Sequence, residues 1–93
     1  MASAQKADKP NRRVIARVQP DYPRILKNAQ IGGVVRLNAT VLANGTVTKV
    51  VTLGGNPILA ESAMQAVMRW RFAASASQTE EELILNFDPR SAP

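Results

Sequence analysis

Val34-Val35-Arg36-Leu37-Asn38-Ala39-Thr40-Val41-Leu42 is followed by Ala43-Asn44-Gly45 and then by Thr46-Val47-Thr48-Lys49-Val50-Val51-Thr52-Leu53. In the first run Val35, Leu37, Ala39 and Val41 alternate with Arg36, Asn38 and Thr40, the pattern of a strand with one buried and one wet face. Asn44-Gly45 supplies the positive φ angles of a type I′ turn, so the second run is expected to return as an antiparallel partner. Strict alternation in that second strand buries Val47, Val51 and Leu53 and leaves Val50 outside beside Lys49. The mismatch predicts a bulge or a partly covered outer face.

Downstream of the hairpin, Gly54-Gly55 breaks the strand, Asn56 can cap a helix, and Pro57 suits its first position because a missing N–H there has no partner to lose. Leu59, Ala63, Ala66, Val67 and Trp70 fall on one helical stripe, with Ser62, Gln65 and Arg69 opposite, so the helix packs on the sheet and Trp70 is core. Met64 and Met68 lie on its flank, where they cover the first helix or stand exposed. Ala73 to Thr79 reads as a small-residue loop. The last strand, Leu83 to Asp88, points Leu83, Leu85 and Phe87 one way and Glu82, Ile84, Asn86 and Asp88 the other. Glu80, Glu81 and Glu82 at its start discourage random edge-to-edge pairing, and Arg69 and Arg71 are expected to pair with these glutamates or with Asp88.

Upstream, Tyr22, Ile25, Leu26 and Ala29 have the spacing of one helix face, with Asp21 or Tyr22 capping, Pro23 in the first turn and Gly32-Gly33 ending the helix in left-handed geometry. Pro20 holds Gln19 in extended geometry. Residues 1–16 have too little apolar content to repay the entropy of ordering and read as a flexible basic lead-in, although Val14, Ile15 and Val18 suit a short extended piece. The domain is expected over residues 17–90. The result is an α+β fold, a short helix followed by β-β-α-β, with a three-stranded antiparallel sheet packed on the main helix.

Ninety-three residues allow one core. There is no cysteine and no histidine, which removes thiol chemistry, disulfides, the usual zinc ligand sets and the commonest general base. No nucleophile or acid–base pair can be assembled, so neither an enzyme nor a cofactor or metal site is expected. The formal charge of +5 sits entirely in residues 1–27, where seven cations face Asp8 and Asp21. A basic arm of this kind suits nucleic acid or an anionic surface, but only four aromatic residues are present and most are assigned to the core. Stacking on single strands needs exposed rings, so no nucleic acid partner is expected.

Gln19-Pro20-Asp21-Tyr22-Pro23, Gly32-Gly33-Val34-Val35, Asn44-Gly45-Thr46-Val47, Asn56-Pro57-Ile58-Leu59 and Arg69-Trp70-Arg71-Phe72, in this order and spacing, resemble the C-terminal domain of the TonB family over residues 17–88. Ala73-Ala74 departs from the proline that the family often places after the aromatic pair. The resemblance implies a periplasmic domain of an inner-membrane-anchored energy transducer, coupled through its N-terminal region to an ExbB–ExbD-like motor. Its partner would be an outer-membrane receptor whose TonB box adds as a strand to Leu83, Ile84, Leu85, Asn86 and Phe87, close to Gln19 and Pro20. Other readings are a TonB-like interaction module of another envelope protein, and a homodimer formed when the same edge accepts a second copy.

Overall fold

In the computed structural model residues 12–90 are described. The elements in chain order are β1 (Val14–Ala16), α1 (Arg24–Asn28), β2 (Gly33–Val41), β3 (Val47–Gly54), α2 (Pro57–Val67), β4 (Arg71–Phe72) and β5 (Thr79–Phe87). β2 occupies the centre of a three-stranded antiparallel sheet in the order β3-β2-β5, and β1 pairs with β4 in a separate two-stranded ribbon. The α+β architecture read from the sequence is therefore the one observed. No helix among the described residues is long and apolar enough to cross a membrane.

The β2–β3 hairpin forms where the alternation put it, but with a different turn. Leu42 N–H donates to Thr46 O, Gly45 N–H to Leu42 O, and the Asn44 side chain accepts Thr46 N–H. Gly45 has φ +96°, whereas Asn44 is not among the residues of positive φ. The connection is therefore a three-residue loop with glycine in the left-handed position, not a two-residue type I′ turn. Glycine is required there for a second reason, since a Cβ would overlap Phe72 O.

The expected irregularity in β3 also appears. The register shifts between Thr40 and Val41, whose partners are Lys49 and Val47. One extra residue on β3 reverses the facing of everything after it. Val47 remains buried and Val50 packs on the core, while Val51 and Leu53, expected inside, are exposed.

α2 starts as its Asn-Pro signal predicts: Asn56 Oδ1 accepts Ile58 N–H and Leu59 N–H, and Pro57 follows. Leu59, Ala60, Ala63, Ala66 and Val67 are buried on its inner side, and Trp70 just beyond it is buried too. Met64 packs against the core and accepts Thr52 Oγ1–H, whereas Met68 is exposed.

α1 is shorter than its apolar spacing suggested. Of that stripe Leu26 is buried, while Ile25 is 73% exposed. The N-cap position falls on Pro23 and no side chain caps it. Its C-terminus does not use the glycines: Gln30 takes φ 60°, with Ile31 N–H donating to Leu26 O and Gln30 N–H to Lys27 O. That pair of bonds is a Schellman motif closed by glutamine. Gly32 serves instead to let β2 approach Phe87 O and Pro89, where a Cβ would collide.

Candidate functional site

β5 runs for nine residues and keeps one unbroken register against β2, from Gly33↔Phe87 to Val41↔Thr79. It therefore begins four residues earlier than expected and includes Glu80, Glu81 and Glu82. Its other side has no strand partner among the described residues. An antiparallel edge strand bonds its neighbour through alternate residues, so the remaining N–H and C=O groups of β5 point away from the sheet.

The facing of the candidate residues follows the period of two. Leu83 and Phe87 are buried, Leu85 packs on the core from a half-buried position, Ile84 is half-buried on the outer face, and Asn86 is exposed. On that outer face Arg36 pairs with Glu82 at 3.0 Å, and Asn38 and Thr40 both donate to Glu80. These links fix the glutamates to β2. The pairings expected of Arg71 with an acidic residue are replaced by a bond to Thr46 Oγ1 and, for Asp88, by a contact from Arg90.

Gln19 and Pro20 belong to an extended segment strapped across the molecule. Trp70 Nε1–H donates to Val18 O at 2.9 Å, Arg17 lies over the Trp70 ring at 4.9 Å, and Ser62 Oγ–H donates to Asp21 O. Tyr22 sets its ring edge-on to Phe87 at 5.5 Å and donates its hydroxyl to Ile31 O. That contact brings the segment beside the C-terminal end of β5, with Gln19 exposed and Pro20 half-buried. Burial, and secondarily the nearby Asp88 carboxylate, push the Tyr22 phenol above its ordinary pKa. An open groove at the same end is lined by Gln30, Gly32, Gly33, Asp88 and Arg90.

Sequence reasoning missed Arg12. Of the stretch read as a lead-in, residues 1–11 lie outside the described residues, but Arg12 to Ala16 pack on the domain. Arg12 is only 8% exposed. Its guanidinium donates to Ala73 O from Nε and Nη2, to Val41 O and Thr79 Oγ1 from Nη1, and to Ala43 O from Nη2. Its backbone N–H reaches Glu81 Oε1, a carboxylate that is 1% exposed on the inner face of β5. Counting charges assigned this residue to a solvated arm. No side-chain pattern reveals carbonyl acceptors scattered along the chain.

The fold and this border define a class: a small two-layer α+β domain with a sheet edge of regular register that has no strand partner among the described residues. Residues 18–88 match the family model of the Gram-negative bacterial TonB protein C-terminal, and the chain belongs to that family. Its structure is similar to the solution NMR structure of the Pseudomonas aeruginosa TonB CTD, with a TM-score of 0.64 and 23% identity over 91% of this chain and 89% of that one. At that identity the likeness speaks to the fold. No curated protein matches the sequence.

Proposed function

We propose that this domain is the receptor-engaging, periplasmic end of a TonB-like energy transducer, and that it works by β-strand addition. An extended TonB-box peptide from an outer-membrane receptor becomes a fourth strand on β5, bonded to the outward N–H and C=O groups of the Leu83–Phe87 stretch. Gln19 and Pro20 flank the docked peptide from the strap. The observation that carries this reading is the uninterrupted β2–β5 register with no strand on the other side of β5 among the described residues.

The chemistry needs no catalyst. Each added interstrand bond is worth about 0.5–1.5 kcal/mol net, so a short peptide gains an affinity that permits repeated capture and release. Tension applied upstream by an ExbB–ExbD-like motor, through an inner-membrane anchor preceding the domain, then crosses from β5 to the receptor peptide through backbone hydrogen bonds. A second copy offered to the same edge would compete with the peptide, which makes homodimerisation through β5 a concentration-dependent alternative.

Titrating isotope-labelled domain with a synthetic TonB-box peptide tests the reading. Amide shifts concentrated in residues 82–88 and 17–23 are expected. Saturable shifts elsewhere, with those two stretches unmoved, would refute strand addition at β5.

A further inference from the structure

We propose that Arg12 is the anchor through which tension enters the domain, passing it from the N-terminal chain into the sheet where the end of β2 meets the head of β5. The inference rests on the force-transmitting reading above, but it comes from a different part of the molecule. Arg12 lies on the N-terminal side of β1 and is itself buried. Among the described residues, a pull from that side meets its guanidinium before it meets any strand.

Five hydrogen bonds leave that one planar group for three separate stretches of chain: the end of β2 and the hairpin loop at Val41 and Ala43, the residue after β4 at Ala73, and the start of β5 at Thr79. Bonds that radiate from a rigid fork share a load in parallel, and a fork is what guanidinium provides and ammonium does not. Behind Arg12 the chain is held more sparsely. β1 meets β4 at Val14↔Phe72 and Ala16↔Arg71 with an irregular register, and Arg13 O accepts Ala73 N–H. Such contacts give way one after another when the free end is pulled. With the fork in place, the load bypasses them and divides among Val41 at the end of β2, Ala43, Ala73 and Thr79 at the head of β5, the strand that is proposed to hold the receptor peptide. Neither helix lies on that route.

Single-molecule pulling tests this on the whole chain, which has no native cysteine to confuse attachment. One handle is placed on the N-terminus and the other on Asn86→Cys at the far end of β5. Arg12→Ala is expected to add an early, low-force step that releases about 20 Å, roughly six residues at 3.3–3.6 Å each, as Arg12 to Arg17 peel away before the sheet ruptures. Arg12→Lys should behave like the alanine variant, and Thr79→Val, which removes one acceptor, should lower the rupture force to a lesser degree.

In a control geometry, with handles on Gln65→Cys and Asn86→Cys, the clasp is off the loaded path and all three variants should rupture close to the parent. No early step in the N-terminal geometry, or an equal loss in both geometries, would overturn the proposal. The pulling is done without peptide, so its outcome is independent of docking. Normal docking by the parent with no clasp effect sinks only the anchor, and a clear clasp effect with no docking sinks only strand addition.

Discussion

The sheet has two borders, β3 and β5, and they differ in the way that decides which can accept another strand. β3 is irregular against β2 at both ends of its pairing, and its start is tied to β4 by the bridge Thr46↔Arg71. β5 keeps a single register over its whole length. Bulges twist an edge away from flat pairing and are a common means of keeping it from recruiting strangers, so β3 is blunted and β5 is left straight. Exposure alone points to β3, which displays Val51 and Leu53, whereas Leu83, Leu85 and Phe87 of β5 turn inward and Ile84 is half-buried on its outer face. What matters for strand addition is backbone regularity, not surface hydrophobicity.

The sharpest contrast uses one residue type on the two borders. Leu83 on β5 is 2% exposed and Leu53 on β3 is 47% exposed. Leu83→Ala should cost about 2–5 kcal/mol through the cavity it leaves. Leu53→Ala should stay within about 0.5 kcal/mol. Denaturant melts of the two variants check this, and equal losses would mean that the facing of one border has been misassigned.

Next in size is the contact that secures the end of β5. Tyr22→Phe keeps the ring against Phe87 but removes the bond to Ile31 O, and a modest loss of stability near neutral pH is expected. The phenol's folded pKa lies above its ordinary 10.0, so the neutral form is the one that stabilises the fold. That contribution is complete below pH 10.0 and is lost as pH rises through the folded value. Comparing melts of parent and variant on either side of that range should show the variant losing less stability to alkali. An identical alkaline slope in the two proteins would remove Tyr22 from the account.

The smallest effect lies in the turn that feeds β2. Gln30 holds a left-handed conformation that disfavours residues with a Cβ. Gln30→Gly should therefore stabilise the domain by about 0.5–1 kcal/mol, after allowing for the greater freedom of glycine in the unfolded chain. A thermal melt suffices to see it, and a lower melting temperature would contradict the assignment.

The parts of the molecule that were legible in the sequence are those governed by neighbours along the chain. Alternation gave the β2–β3 hairpin, the Asn56-Pro57 signal gave the start of α2, and the clash between Val50 and strict alternation gave warning of a bulge. The direction of the bulge was not readable, because it depends on how the turn at Gly45 meets Phe72. Gly32-Gly33 looked like a helix stop, yet Gln30 took that conformation and Gly32 was kept for close packing against Phe87.

For the candidate site, the two faces of β5 could be read by counting in twos. That its border has no strand partner among the described residues could not be, since that depends on β2 taking the centre of the sheet. Arg12 was the least legible, as its acceptors lie 29 to 67 residues away and most are main-chain carbonyls.

Amide hydrogen exchange along β5, with and without a TonB-box peptide, tests the docking border most directly. A strand added at that border should protect alternate residues between Leu83 and Phe87, those whose N–H groups are not already bonded to β2, and should leave β3 unchanged. Protection appearing along β3, or none at all on β5 under saturating peptide, would contradict it.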